Sequence, residues 1–442
     1  MSKQITSTEF LQGSRAIVDI SGYTHRGLGV ARVQGRVIFV QGALRGEQVE
    51  VVITGQKKKV LQGRVSKIIR SSAERTSPIC PIFDSCGGCH LQHISYAEEL
   101  YFKTEQVAAA LRRIAKITDK IELQPIIPAD ELYHYRNKGI FHLLHGDTKT
   151  SLCFWDEGSH NPAADCCTML FAPNINALTN WLQNESLPPN LSDIMIRRSS
   201  ANGDLMLAAI LKDSNRNSIL HLLESAVEKF PDVKVIASQT PSGWQVHSAT
   251  DCLTDCLGNT FYQLSAASFF QINNEQTLKL LKTATNLLKN NCQTVVDAYC
   301  GIGTIGLYLA KHLPNIKHLT GIELNESAVQ NARTNAKLNN ITNAEFFAGK
   351  AEVLFAKAAG AEKPDVVIID PPRRGCNITL LNSLLDLYPQ NILYVSCNPA
   401  TLARDLAILL NGGYQLSYIQ PIDMFPRTYH VETVVLLSQK NN

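Results

Sequence analysis

The sequence predicts a multidomain chain with a small N-terminal β-barrel of the OB type, a central α+β domain and a C-terminal, Rossmann-like α/β domain. Three observations carry this. Short alternating runs broken by glycines fill residues 9–70, three cysteines fall within residues 80–89, and from Thr294 the rhythm becomes strand, glycine loop, helix. At 442 residues, 45% of them hydrophobic, the chain is long enough for several cores and has no low-complexity tract. It has no apolar run of about 18 residues, so no membrane helix is expected. The N-terminus lacks a basic-then-apolar signal pattern, which leads to a cytoplasmic reading.

In residues 9–70, Arg15-Ala-Ile-Val-Asp-Ile, Ala31-Arg-Val-Gln-Gly-Arg-Val-Ile-Phe-Val and Gln48-Val-Glu-Val-Val-Ile read as half-buried strands. About five such strands in so short a stretch fit a small barrel better than a sandwich. Residues 1–70 carry twelve Lys/Arg against four Asp/Glu, on a chain whose net charge is only +3. A basic module on a near-neutral body suggests an anionic partner, nucleic acid first, with Lys57-Lys58-Lys59 on a loop suited to phosphate.

The central stretch, residues 71–264, opens with Cys80-Pro-Ile-Phe-Asp-Ser-Cys86-Gly-Gly-Cys89-His-Leu-Gln-His. Thiolates this close, with two glycines to let the backbone fold round an inorganic centre, point to a metal. A disulfide is less expected in a reducing compartment. A fourth ligand is needed, and Cys166-Cys167 is the best distant supply. Zinc would accept three thiolates with His90 or His93, and a [4Fe–4S] cluster prefers four thiolates, so spacing leaves both open. Residues 97–117 place Leu100, Val107, Leu111 and Ile114 on one helical stripe with a charged opposite face. The remainder alternates strand-like runs with a helix at 215–229, and Cys153, Cys252, Cys256 and Cys292 read as structural.

In residues 265–442, Thr294-Val-Val-Asp-Ala-Tyr-Cys reads as a buried strand, Gly301-Ile-Gly303-Thr-Ile-Gly306 as a loop opening a helix, and Glu323 as the acid ending the next strand. This is a nucleotide-cofactor pattern: glycines permit close backbone approach and the acid clamps ribose hydroxyls. Asp370-Pro-Pro-Arg373 ends another strand, and Ser396-Cys-Asn-Pro399 stops a third. A thiol at a carboxyl strand end stands where open α/β sheets keep their crevice, which makes Cys397 a candidate nucleophile.

The barrel resembles the TRAM domain of RNA-modifying enzymes in Gly27-Leu-Gly-Val-Ala-Arg and Phe39-Val-Gln-Gly-Ala-Leu. The C-terminal half resembles the RNA uracil-5-methyltransferases, specifically the 23S rRNA branch with a TRAM domain and a [4Fe–4S] cluster. Its motifs are Ser268-Phe-Phe-Gln-Ile-Asn273, Asp297-Ala-Tyr-Cys-Gly-Ile-Gly-Thr304, Asp370-Pro-Pro-Arg-Arg-Gly375, Ser396-Cys-Asn-Pro399 and Asp423-Met-Phe-Pro-Arg-Thr-Tyr-His-Val-Glu432. The resemblance implies a class I methyltransferase domain using S-adenosyl-L-methionine, with Gln271, Tyr299, Thr304, Glu323 and Asp370 on the cofactor. It implies Phe269 and Asp370 on the uracil, Cys397 as nucleophile, Glu432 as base, and Cys80, Cys86, Cys89 and Cys167 as iron–sulfur ligands. The family loop often carries Phe where Tyr299 stands and Asn where Thr304 stands. The expected partner is 23S rRNA, without a membrane, and a monomer is the default.

Three rival readings have discriminating features. A radical methylthiotransferase needs three cysteines separated by three and then two residues, whereas here five and two intervene. A nicotinamide-dependent dehydrogenase rests only on Gly301, Gly303 and Gly306. An RNA-binding assembly factor would need neither Cys397 nor Glu432.

Overall fold

A computed structural model describes residues 12–117, 122–145, 150–155, 161, 169–289, 292–358 and 363–440. Packing divides the chain into two units. One comprises Met1–Phe83, Cys89–Gln106 and Arg427–Tyr429, the other Asp84–Gly88, Val107–Pro426 and His430–Asn442.

In the first unit the strands are β1 (Arg15–Asp19), β2 (Gly22–Tyr23), β3 (Gly29–Val33), β4 (Arg36–Gln41), β5 (Gln48–Lys57) and β6 (Val60–Arg70). They pair in the order β1-β5-β6-β4-β3-β2. Just past β1 the Ser21 N–H donates to the Val30 carbonyl on β3 (2.9 Å), which brings the two ends of that order together round a core of Val18, Ile38, Val40, Val49, Val51 and Leu61. The run read as one strand from Ala31 to Val40 is a hairpin. Gln34 and Gly35 both take positive φ, the backbone a two-residue turn demands. Lys57, Lys58 and Lys59 lie exposed at the tip of the β5–β6 hairpin.

Helix α1 runs Tyr96–Arg113, stopping short of the expected 117, and Lys116 beyond it takes positive φ. The stripe is buried at Val107 and Leu111 but Ile114 is 43% exposed. Nor is the opposite face wholly solvated: Glu99 and Lys103 are fully buried and paired at 2.7 Å, and Glu99 also accepts from the Arg427 N–H (2.7 Å). A buried carboxylate needs such partners, because unpaired it would bear its full desolvation cost.

In the second unit a mixed sheet is built from β7 (Lys138–His145), β8 (Thr150–Cys153), β9 (Leu191–Arg198), β10 (Leu205–Leu211), β11 (Val233–Thr240) and β12 (Gly243–Val246). Its order is β12-β11-β10-β9-β7-β8. Helix α2 (Pro173–Leu182) precedes β9, and α3 (Asn217–Lys229) supplies the crossover between the parallel pair β10 and β11. A hairpin follows, β13 (Leu253–Leu257) and β14 (Thr260–Leu264). Its Leu257, Tyr262 and Leu264 pack in one core with Val295 and Ile368 of the C-terminal sheet and with Leu307 in the helix that follows its first strand.

After α4 (Asn274–Leu288) the strands β15 (Thr294–Asp297), β16 (His318–Glu323), β17 (Ala344–Ala348), β18 (Val366–Ile369) and β19 (Asn391–Ser396) run parallel. They alternate with helices α5 (Thr304–His312), α6 (Glu326–Leu338), α7 (Ala351–Ala358) and α8 (Ile378–Leu387). Helix α9 (Pro399–Asn411) then leads into β20 (Tyr414–Ile422) and β21 (Glu432–Gln439). The order is β17-β16-β15-β18-β19-β21-β20, with β21 antiparallel to both neighbours. Continuous apolar runs such as Val366-Val-Ile-Ile369, all buried, are what a sheet covered on both faces requires. The strand order reverses between β15 and β18, which opens a crevice at their carboxyl ends. Among the described residues no helix is long and apolar enough to cross a membrane.

Candidate active site at the carboxyl edge of the sheet

One edge of the C-terminal sheet collects the chemistry. Parallel strands end there on Asp297 (β15), Glu323 (β16), Asp370 (after β18) and Cys397 (after β19). Because β21 runs antiparallel to β19, with Ser396 opposite Thr433, its first residue Glu432 falls at the edge where β19 finishes. Sequence distance between Cys397 and Glu432 is thus cancelled by a single pairing.

A cleft opens at the reversal point, and its lining includes Phe269, Gln271, Asp297, Tyr299, Thr304 and Asp370. The glycine loop forms its floor. Gly301 and Gly303 take φ of 55° and 85°, and a Cβ on Gly303 would meet Leu307 at 2.7 Å, so a side chain there is excluded twice over. Glu323 is held by the N–H groups of Gly301 (3.2 Å) and Asn325 (2.8 Å), beside the cleft rather than within its lining. Of the five expected cofactor residues, Gln271, Tyr299, Thr304 and Asp370 lie on the lining and Glu323 borders the loop.

Asp297 is a site residue the motif reading passed over. It is 1% exposed, one oxygen accepts from the Gly306 N–H (3.1 Å), and the other has no hydrogen-bond partner. Burial pushes its carboxyl up to about 7, with the charges of Asp370 and Glu323 adding to the effect and Gly306 opposing it. A buried oxygen left unsatisfied in a cleft wall is suited to a cationic or N–H group of a ligand. The signal was available: an acid ending the strand that enters the glycine loop. A glycine loop, an acid at the end of the next strand and a carboxylate with one unpartnered oxygen together fit S-adenosyl-L-methionine, which has a ribose, an amino-acid moiety and a positive sulfonium.

Cys397 is half-buried at the head of α9, where the Asn398 side chain caps the helix by accepting from the Ala400 N–H (3.0 Å). Desolvation, reinforced by Glu432 and Asp370, pushes its thiol up to about 11, while Arg373 pulls it down. Glu432 is 2% exposed, and burial together with the Asp370 charge raises its pKa well above the ordinary carboxylate range. Asp370 is raised by burial. Burial thus raises Cys397, Asp297, Asp370 and Glu432 together towards their neutral forms, and positive groups that enter or adjoin the site oppose that shift. Arg373, exposed and unassigned in the motif reading, is the adjoining one. Its carbonyl accepts from Asn398 Nδ2 (3.0 Å) and Thr401 Oγ1 (3.3 Å), which fastens its loop to the first turn after Cys397. Phe269 is 69% exposed.

The cysteine loop is less complete. Cys80, Cys86 and Cys89 are each buried, and the Gly88 N–H points at Cys86 Sγ (3.3 Å). Cys166 and Cys167 lie outside the described residues. Among the described residues no group of three His, Cys, Asp or Glu could hold a metal ion, so the expected four-cysteine shell is not seen assembled. The chemistry of the donors suits a soft metal centre, and nothing in their arrangement carries a reaction step.

The sequence pattern of the tRNA (Uracil-5-)-methyltransferase family matches residues 95–440, and that of the TRAM domain matches residues 9–66. An uncharacterized RNA methyltransferase of Bacillus cereus is 34% identical over 99% of this chain and 98% of its own length. One from Halalkalibacterium halodurans is 36% identical over 96% and 97%. Among solved structures, the Pyrococcus abyssi tRNA (uracil-54, C5)-methyltransferase in complex with S-adenosyl-L-homocysteine superposes with a TM-score of 0.72. It is 25% identical, covering 96% of this chain and all of that one.

Proposed function

The chain belongs to the tRNA (uracil-5-)-methyltransferase family, with a TRAM domain at its N-terminus, and on that footing we propose that it methylates C5 of a uridine in 23S rRNA. It is an S-adenosyl-L-methionine-dependent RNA methyltransferase. What supports a covalent route is the convergence of Cys397, Glu432 and Asp370 at one sheet edge beside the cleft.

Uracil C5 is too weak a nucleophile to take a methyl group unaided. The Cys397 thiolate adds to C6, forming an S–C6 bond as the C5–C6 π electrons shift to C4–C5 and the C4–O4 π electrons move onto O4. Gln271, Tyr299, Thr304, Glu323 and Asp370 would hold the cofactor, which would supply a sulfonium methyl: C5 would take it as the C4–O4 double bond re-forms, the S–CH3 bond breaking to leave the neutral thioether. Glu432 then removes the C5 proton, the C5–C6 double bond re-forms, and the S–C6 bond breaks to release the thiolate. Arg373 offsets the negative charge of the attacking sulfur. Phe269 stacks on the target base, which must leave any helix to reach the thiol.

The rRNA assignment is supported by the basic barrel with its exposed lysine hairpin, a surface suited to phosphate. A tRNA target is the second reading, favoured by the substrate of the Pyrococcus abyssi enzyme. Methyl-labelled cofactor offered to equimolar 23S rRNA fragments and tRNA transcripts separates them. Label in 5-methyluridine from rRNA is expected, and label confined to tRNA would replace the rRNA reading.

We also retain a [4Fe–4S] cluster on Cys80, Cys86, Cys89 and Cys167 as the proposal for the cysteine loop, supported by their spacing and by the N–H aimed at Cys86. Protein purified without air should contain about four irons per chain, falling to background in Cys86→Ser. Zinc at one per chain with no iron would reverse the assignment.

A further inference from the structure

Arg197, on β9 of the mixed sheet, is 1% exposed and belongs to a different sheet from the strand ends that carry the reaction. Its guanidinium reaches the segment between β14 and α4, donating to the carbonyls of Ser265 (3.2 Å) and Ser268 (2.6 Å). Asp255, fully buried, supplies the facing negative charge. One of its oxygens takes the N–H groups of Ser200 (3.0 Å) and Cys256 (2.8 Å) and Asn274 Nδ2 (3.1 Å), and the other has no hydrogen-bond partner. A buried guanidinium spent on two main-chain carbonyls is poorly explained by stability, since a well-packed apolar residue would commonly do as well. It does fix one turn in one place.

The turn is Ser265–Ser268, and the next residue is Phe269. Asn331 Nδ2 holds the hydroxyls of Ser265 (3.0 Å) and Ser268 (2.5 Å). Beyond Phe269, Phe270 is buried, and Asn137 fastens the carbonyls of Gln271 (Nδ2, 2.9 Å) and Ile272 (N–H, 2.9 Å). Both sides of Phe269 are thus tied down while its ring stands 69% exposed at the rim of the cleft. A large aromatic displayed on an over-determined turn is a preformed platform, and a platform that need not be ordered on binding loses less affinity to entropy.

We propose that Arg197 is a positioning residue for the methylation reaction, acting through the Ser265 and Ser268 carbonyls to present the Phe269 ring to the RNA base. The inference rests on the stacking role given to Phe269 above. Because Asn137 holds Gln271 separately, Arg197 governs RNA engagement and leaves cofactor binding largely alone.

A double-mutant cycle tests it, with kcat/KM for RNA and the affinity for S-adenosyl-L-homocysteine measured on the full chain. Phe269→Ala should lower kcat/KM about thirtyfold, within the range of losing one base–aromatic stack. Arg197→Lys keeps the charge facing Asp255 but loses the planar two-armed donor, and should cost about tenfold with cofactor affinity changed less than about twofold. In the Phe269→Ala background the same Arg197→Lys change should cost less than about twofold, because the group it positions is gone. Arg197→Gln is run in parallel, so that misfolding of one variant leaves the other to complete the cycle. If the two effects multiply, or Arg197→Lys leaves kcat/KM unchanged, Arg197 does not act through Phe269. If Phe269→Ala alone has no effect, the stacking role itself fails, whatever Arg197 does.

Discussion

Cys397→Ala is expected to abolish uridine methylation, by at least about 10⁴-fold in kcat, because no other group can raise the nucleophilicity of C5. The variant should still bind the cofactor and RNA, since the cleft lining does not include Cys397. Fluorine at C5 cannot leave as a cation, so RNA containing 5-fluorouridine should trap the wild type as a band that survives denaturation. Cys397→Ala should give none. The resting thiol adds a pH signature. With its pKa pushed up to about 11, the thiolate fraction grows roughly tenfold per pH unit below that point, and iodoacetamide labelling of the empty protein should climb with the same slope. Methylation retained in Cys397→Ala would eliminate the covalent route.

Glu432→Gln should separate the two halves of the reaction. Glutamine keeps the shape of the buried side chain but cannot accept the C5 proton, so addition and methyl transfer proceed while release stops. Ordinary RNA, without fluorine, should then accumulate as a methylated adduct approaching one per enzyme, with turnover down about 10²–10⁴-fold. The sign of the electrostatic effect runs the other way for the thiol. An ionised Glu432 raises the Cys397 pKa, so its removal should speed iodoacetamide labelling. That gain should grow as pH rises, because burial and Asp370 raise the Glu432 pKa above its ordinary range and more of the residue ionises at higher pH. A variant that forms no adduct on ordinary RNA would assign Glu432 to a step before methyl transfer, such as deprotonation of the thiol.

These expectations share a physical premise. Burial raises the pKa of the Cys397 thiol and of Asp297, Asp370 and Glu432, and a cation brought against Asp297 and Asp370 would favour their ionised forms. A site quiet when empty and activated by its own positively charged ligand avoids exposing a reactive thiolate to solvent.

Much of this was legible in the chain. Glycines at 301 and 303 announce left-handed backbone that glycine adopts most cheaply, proline after Asp370 and Asn398 announces strand ends, and an acid or thiol at such an end announces the crevice. Local signals of this kind act over a few residues, and sequence determines them directly. It also determined the basic barrel, through alternation and charge.

Other features had no local signal. Glu432 faces Cys397 only because β21 inserts antiparallel between β19 and β20. Arg197 reads as one more polar residue in Ile194-Met-Ile-Arg-Arg198, and its role exists only because β9 lies against the turn before Phe269. Likewise Glu99 and Lys103 look like a solvated helix face until packing covers them, when each becomes the other's partner. Sequence by itself determined the strand ends, the turns and the residues able to do chemistry. The tertiary structure alone decided which of them meet and which are stripped of water, because register and burial depend on pairings between distant segments, and it is burial that sets their charge.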